Sequence, residues 1–327
     1  FFSSRRRHTR LLTVTGVQTC ALPICFQYDP SLPSVGVYGL GIMGSTMAKV
    51  LLDRGYCVYG YDIDAKANRR FKQMGGIYCP DASNVASSAD ILIVSVATSN
   101  ALEKVTQYVL EGHQKRKSKS ASTLIETSTL TLADKNLLAK TLKAVGINPL
   151  DCPISGTAVR MKDRAWTIFA SGTKTAYKKA LPILRVFTDN VPYVGAYGNG
   201  TKIKFSANHL VAIYNVAYAE SVALARKMGL DPREVLNLFG NSPVLGTGVM
   251  RLRMNMMVER QYTPPTMKVE VWQKDMEVIG QMAKSVDCPT PLFQTCASIY
   301  TAAMAQGLSQ QDTASTAEVL AKMSGSH

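Results

Sequence analysis

The chain has 327 residues, 46% hydrophobic and 18% charged, enough for two domains with large cores. Its formal charge of +14 invites a polyanion partner, but Arg5, Arg6, Arg7 and Arg10 stand together at one end and most other cations are scattered. The one short run, Lys115-Arg116-Lys117, has no interleaved aromatics, so nucleic acid is not expected and attraction of acidic metabolites accounts for the excess. No stretch approaches the apolar length of a membrane span, and the seven cysteines have neither metal-ligand nor disulfide-framework spacing, which fits a reducing cytoplasm.

Residues 1–33 read as a non-native or disordered leader outside the fold. Up to about residue 26 no consistent period appears, and the string from Val14 to Ile24 resembles a translated sequencing-library adapter. A signal peptide is the rival reading, because arginines precede an apolar stretch, but Thr, Gln and Pro interrupt that stretch.

A strand over 34–38 then runs into Gly39-Leu40-Gly41-Ile42-Met43-Gly44, and a helix over 43–54 follows at once. Strand, G-x-G-x-x-G and helix in that order form the entrance to a dinucleotide site. Gly39 permits the tight turn, Gly41 lets a pyrophosphate reach bare backbone, and Gly44 lets helix and strand pack closely. The helix start meets the phosphates with unpaired N–H groups and a partial positive charge. A second strand over 57–62 ends in Asp62, 23 positions after Gly39, where a carboxylate accepts hydrogen bonds from ribose hydroxyls and repels a 2′-phosphate. NAD is therefore favoured as cofactor, with NADP left open by Arg69 and Arg70. A solvated turn built on Asp62 and Asp64 is the plainer alternative.

Strands over 91–96, 122–126 and 148–151, a smaller pair near 166–171 and 191–194, and helices over 65–74, 100–110, 132–145 and 174–187 continue the alternation. This pattern predicts an α/β fold with a Rossmann-type, doubly wound parallel sheet over 34–196. After residue 200 the strand signal disappears. A long apolar helix over 201–228 stops at Gly229, Asp231-Pro232 restarts the chain, and helices over 233–239, 250–259, 266–285, 291–306 and 313–323 complete an all-α domain over 197–327. A helix so long and apolar must be covered nearly all round, which predicts a spine, and association into a homodimer or homotetramer through that domain.

Five segments in this order resemble the β-hydroxyacid dehydrogenase family, which includes 3-hydroxyisobutyrate, tartronate semialdehyde, L-threonate and 6-phosphogluconate enzymes. They are Gly39–Gly44 with Met47-Ala48; Glu126-Thr127-Ser128-Thr129; Asp151-Cys152-Pro153-Ile154-Ser155-Gly156-Thr157; Gly198-Asn199-Gly200 with Lys204 and Asn208; and Gln273-Lys274-Asp275-Met276. The resemblance implies hydride transfer between NAD(P) and a small 3-hydroxy acid. It implies that Ser128 and the Ser155, Gly156 and Thr157 loop hold the substrate, that Thr129 lies by the nicotinamide, that Lys204 is catalytic, and that Lys274 reaches the cofactor. Val96 and Ala97 stand where the family carries M-L-P after the third strand. Arg160, Lys162, Arg164 and Trp166 occupy a stretch where many members have glycines, and with Tyr262-Thr263-Pro264 they lean toward the L-threonate-like branch.

Lys204 and Asn208 are four residues apart and so share one helix face. A lysine against a substrate hydroxyl removes its proton as hydride leaves the carbon, and Asn208 can hold the same oxygen or the lysine. Capping of the next helix is the alternative for Ser128 or Thr129, an ordinary turn for Ser155–Thr157, and a solvated lysine for Lys204. His209 faces about 100° away and reads as structural. Cys152 lacks a neighbouring base, and no metal-binding pattern appears. Two further readings of the whole are a catalytically idle dinucleotide-binding interaction protein, marked by loss of the lysine, and an imine reductase-like enzyme with a different residue there. The presence of Lys204 argues against both.

Overall fold

The structure is a computed structural model describing residues 28–116 and 123–326. Most of the expected leader, together with Lys117 and Ser122, lies outside those residues.

The first part of the chain alternates β1 (Val35–Tyr38), α1 (Ile42–Asp53), β2 (Val58–Tyr61), α2 (Ala65–Gln73), β3 (Ile77–Tyr78), α3 (Ser83–Ser88), β4 (Ile91–Val94), α4 (Ser99–Lys115), β5 (Thr123–Glu126), α5 (Leu132–Lys143) and β6 (Asn148–Asp151). The six strands form one parallel sheet in the order β3-β2-β1-β4-β5-β6. β1, β4 and β5 are buried along their whole length, which is why they read as continuous apolar runs rather than alternating ones. Met47, Leu51, Phe71, Ile183 and Phe187 cover one face, and Val85, Leu102, Val109, Leu138 and Leu142 the other. Strand order reverses between β1 and β4, and ligands of doubly wound sheets bind outside the carboxyl ends at such a point.

Two short strands and a helix follow: β7 (Ile154–Ser155), β8 (Thr167–Ile168) and α6 (Lys174–Phe187), with a 3-10 turn over Ala158–Met161 between the strands. Here the expectation is corrected. The strands near 166–171 and 191–194 shrink to a two-residue antiparallel pairing of β7 with β8 and isolated bridges at Asp151–Ser171 and Ala170–Tyr193. So few ladder bonds leave little periodicity to read. β3 and α3, with two and six residues, are too short to show a period in the sequence. α4 passes its expected end at residue 110 because its last turn is held from outside, Lys115 Nζ lying 2.8 Å from Asp81 Oδ2.

The remainder is helical: α7 (Asn199–Lys227), α8 (Pro232–Gly240), α9 (Gly248–Glu259), α10 (Val269–Ser285), α11 (Pro291–Ala305), a 3-10 turn at Thr313–Ser315 and α12 (Thr316–Ser324). α7 is the spine. Phe205, Val216, Ala219 and Val222 bury against Met254 and Met257 of α9, Trp272 and Met276 of α10, Tyr300 of α11 and Leu320 of α12. α10 starts at Val269 rather than at residue 266, because the Thr266 and Met267 N–H groups donate to Asp312 Oδ2 at 2.7 and 3.2 Å instead of entering a helix. That keeps Thr266–Lys268 as an irregular wall. No helix among the described residues is long and apolar enough to cross a membrane.

Candidate active site

β1 leads into Gly39, whose φ of +86° is left-handed. A side chain there would place its Cβ 2.1 Å from the Ser95 carbonyl oxygen, and one at Gly44 would come within 1.9 Å of the Gly39 carbonyl oxygen. Gly41 differs: a Cβ on it would meet no atom within 4 Å. It caps α1 without a side-chain bond, no acid stands in the first turn, and the helix ladder opens with Ser45 N–H to the Gly41 carbonyl. The N–H groups before Ser45 therefore have no partner in the helix, an arrangement that fits a pyrophosphate.

A cavity of about 310 Å³ lies on one side of this turn, between Tyr38, Tyr61, Asp62, Ala101 and Tyr108. Asp62 is fixed at its lip. Oδ2 accepts from Leu40 N–H at 2.6 Å, Oδ1 accepts from Asp64 N–H at 2.8 Å, and the Asn68 carboxamide clasps the Asp62 backbone from both sides. Each carboxylate oxygen keeps a lone pair for a ribose hydroxyl. Arg69 and Arg70 are exposed on α2 and do not line the cavity. Val96 and Ala97 line both this cavity and a second one, so the segment that departs from M-L-P still stands at their junction.

The second cavity, about 350 Å³, is the cleft between sheet and helices. Ile42, Met43 and Gly44 line it, as do Ser128, Thr129, Gly156, Thr157, Lys204, Lys274 and Asp275. Ser128 is buried, accepts Val96 N–H at 2.9 Å on its Oγ and donates its own N–H to Glu126 Oε1 at 2.7 Å. Its hydroxyl proton remains available to a ligand. The capping alternative is excluded, because the residue that caps α5 is Thr131, through Asp134 N–H.

Lys204 sits in the second turn of α7. Burial lowers its pKa to about 8, against the opposing pull of Asp275. Asn208 makes no bond to Lys204; its Nδ2 donates to Asp275 Oδ2 at 3.2 Å. Lys274 Nζ donates to the Thr129 carbonyl at 2.7 Å and lies 3.1 Å from Asp275 Oδ1, so α10 is pinned to the loop after β5. Burial raises the pKa of Asp275, and Lys274, Lys204 and Asn208 resist that rise. Asp275 also lines the cleft, a place that its segment of the sequence does not by itself reveal. Two lysines converging on one cleft call for a buried counter-charge, and the acid beside Lys274 was the signal.

Ser155 pairs with Thr167 and is half-buried, while Ile154, Gly156 and Thr157 line the cleft without it. Thr157 Oγ1 is buried without a partner, and its carbonyl accepts Trp166 Nε1–H at 2.7 Å. The indole packs behind Gly156, where a Cβ would lie 2.4 Å from the ring. Trp166 thus supports the loop from behind. Arg164 bonds the Val186 and Arg185 carbonyls and Asp189, and Arg160 pairs with Asp163 at 3.3 Å; neither lines the cleft. His209 stacks on Phe293 with centroids 5.1 Å apart, as a structural residue does. Burial pushes the Cys152 thiol well up, away from nucleophile chemistry. No group of three or more potential metal ligands occurs among the described residues.

A glycine turn at the switch point of a doubly wound sheet, closed by a helical half that presents a desolvated lysine, defines a dinucleotide-dependent oxidoreductase. Residues 34–195 match the family model for the NAD binding domain of 6-phosphogluconate dehydrogenase, and residues 198–320 that for the NAD-binding region of NADP-dependent 3-hydroxyisobutyrate dehydrogenase. The L-threonate dehydrogenase of Haemophilus influenzae is 30% identical over 303 residues, covering 89% of this chain and 96% of that one. Human mitochondrial 3-hydroxyisobutyrate dehydrogenase is 29% identical over 309 residues, 91% of this chain and 89% of that one. A crystal structure of 3-hydroxyisobutyrate dehydrogenase from Salmonella typhimurium superposes with a TM-score of 0.76 at 27% identity, covering 88% of this chain and all of that one. The chain belongs to the β-hydroxyacid dehydrogenase family and is an NAD(P)-dependent 3-hydroxyacid dehydrogenase.

Proposed function

We propose that this enzyme oxidises L-threonate or a close 3-hydroxy acid with NAD, using Lys204 as general acid/base. The observation that carries the reading is the lysine whose pKa burial brings to about 8, in the same cleft that Ser128 and Thr157 line. In this reading Ser128 Oγ–H and the unpartnered Thr157 hydroxyl, with Gly156 and Ser155 beside them, hold the substrate's oxygens. Neutral Lys204 takes the proton of the reacting hydroxyl, Asp275 stabilises the ammonium that results, and Asn208 keeps Asp275 in place. Lys274 closes the cleft over the loop carrying Thr129. Bound NAD supplies the acceptor for the hydride; the turn from Gly39 to Gly44, Asp62, Val96 and Ala97 are the residues that would hold it. The L-threonate-like branch is favoured by the Trp166 stretch and Tyr262-Thr263-Pro264, and the L-threonate dehydrogenases of Escherichia coli and Haemophilus influenzae are among the relatives.

A screen of L-threonate, D-glycerate, 3-hydroxyisobutyrate, 4-hydroxybutyrate and 6-phosphogluconate with each cofactor tests the reading. L-threonate with NAD is expected to have the highest kcat/KM, since only that ratio measures discrimination. Another acid ahead of it overturns the substrate assignment, and equal or better turnover with NADP returns Arg69 or Arg70 to the site.

The cytoplasm is the proposed compartment, in keeping with Cys57, Cys79, Cys152, Cys288 and Cys296, all free thiols. We also propose a dimer or larger oligomer through the helical half, with the leader and the two domains divided at 33/34 and 196/197. Ile203, Leu210, Ala217 and Leu224 recur every seven residues on α7 and stay exposed, and Leu224 shares a surface hollow with Met323 of α12, itself 69% exposed. Light scattering at micromolar concentration is expected to give at least twice the chain mass, and Leu210→Glu with Leu224→Glu to give the monomer. A monomeric wild type overturns this.

A further inference from the structure

Behind the cleft lies a buried ion cluster that none of the roles above uses. Lys135 of α5 has its ammonium 2.6 Å from Glu126 Oε2 and 2.9 Å from Asp151 Oδ1, and all three side chains are fully buried. The same ammonium donates to Thr201 Oγ1 at 2.8 Å, and that hydroxyl donates to Asp151 Oδ1 at 2.7 Å. Its three N–H bonds therefore face three different chain segments. The other carboxylate oxygens carry the connection outward: Glu126 Oε1 accepts Ser128 N–H at 2.7 Å, and Asp151 Oδ2 accepts Thr201 N–H at 2.8 Å and the Ser171 hydroxyl at 3.2 Å.

Burial alone would lower the Lys135 pKa, but Glu126 and Asp151 outweigh it and keep the group charged. A buried ion cluster of this kind adds little net stability compared with apolar packing of the same volume. Its geometric effect is larger. α7 is preceded by Gly198, an N-cap with a φ of +94° and no side-chain bond, and Gly200 lies so close to the sheet that a Cβ would be 2.3 Å from the Phe169 carbonyl oxygen. Asn199 Nδ2 donates to the Val194 carbonyl at 3.0 Å, Thr201 binds into the buried ion cluster, and Lys204 follows three residues later.

We propose that Lys135 is a positioning residue for the reaction: it ties together the Ser128 turn, the segment from Asp151 to Thr157 and the start of α7, and so sets Lys204 against the substrate-holding hydroxyls. The inference rests on the reading of Lys204 as acid/base. Lys135 itself lines neither cavity.

Lys135→Met and Thr201→Val are compared with wild type in NAD-linked oxidation of L-threonate, in NADH binding by fluorescence, and in hydrogen exchange of peptides spanning 126–130 and 199–206. Lys135→Met is expected to lose about 10²-fold in kcat, the scale of an ångström misplacement, with NADH affinity unchanged and faster exchange in both peptides. Thr201→Val keeps both ion pairs and guards against a Lys135→Met enzyme that does not fold. It should lose kcat several-fold at near wild-type Tm. In a Lys204→Ala background neither substitution should cost anything further, because both act through Lys204. Wild-type kcat in folded Lys135→Met or in Thr201→Val overturns the inference, as does a full additional loss on top of Lys204→Ala. A Lys204→Ala enzyme with near-normal kcat overturns the reading of Lys204 instead. If wild type leaves L-threonate untouched, the exchange measurement decides: unchanged exchange in both peptides means Lys135 ties nothing together.

Discussion

Lys204→Ala is expected to lower kcat by about 10²–10⁴-fold, the contribution of a positioned acid–base group, while NAD affinity stays within error. The side chain lies in the cleft and forms no part of the glycine turn, so the two effects separate. The pH dependence carries a sign. Burial stabilises the neutral amine and brings the pKa of Lys204 to about 8, well below the ordinary lysine value. In oxidation the neutral amine is the active form, so kcat/KM should rise with pH through about 8 and then level off; in reduction the ammonium is active, and the rate should fall over the same interval. Both limbs should vanish in Lys204→Ala. A variant that kept the kcat and the limb would move the proton-carrying role elsewhere, with Lys274 next in line.

Gly44→Ala and Gly41→Ala should fail in opposite ways. At Gly44 the new Cβ would stand 1.9 Å from the Gly39 carbonyl oxygen, a backbone atom that cannot swing aside. α1 must then move off β1. Overpacking of this kind costs typically about 1–3 kcal/mol, so Tm should drop by several degrees and NAD binding should fall with it. At Gly41 nothing lies within 4 Å of the added methyl group, so Tm should hold. The methyl instead occupies the approach to the N–H groups of α1. Loss of one charge-assisted hydrogen bond there is worth about 1.5–3 kcal/mol, roughly tenfold to a hundredfold in Kd. Thermal denaturation and NADH fluorescence titration separate the pair. Equal Tm losses would mean that the space before Gly41 is not the phosphate cradle.

The alternation of strands and helices, the glycine turn and the switch to an all-helical second half were legible in the residues alone, because each is a local pattern. β1, β4 and β5 are buried on both faces and therefore read as plain apolar runs; the α7 apolar spacing persists for 29 residues and needs no partner to be recognised. Lys204, Asn208, Ser128 and Lys274 stand out through the resemblance of five segments to the β-hydroxyacid dehydrogenase family; spacing alone leaves Lys204 a solvated lysine and Asn208 a polar helix residue. What their side chains touch was not legible. Asn208 donates to Asp275, 67 positions away, and Lys274 to Thr129, 145 positions away. Periodicity reports which face of an element is buried and says nothing about which polar group from another element waits there. The same limit hid Lys135, which reads as one more lysine in an ordinary surface helix until β5, β6 and α7 bring Glu126, Asp151 and Thr201 around it. The lowered pKa of Lys204 is likewise a product of tertiary burial, since a lysine acquires it only when the cleft walls remove its water.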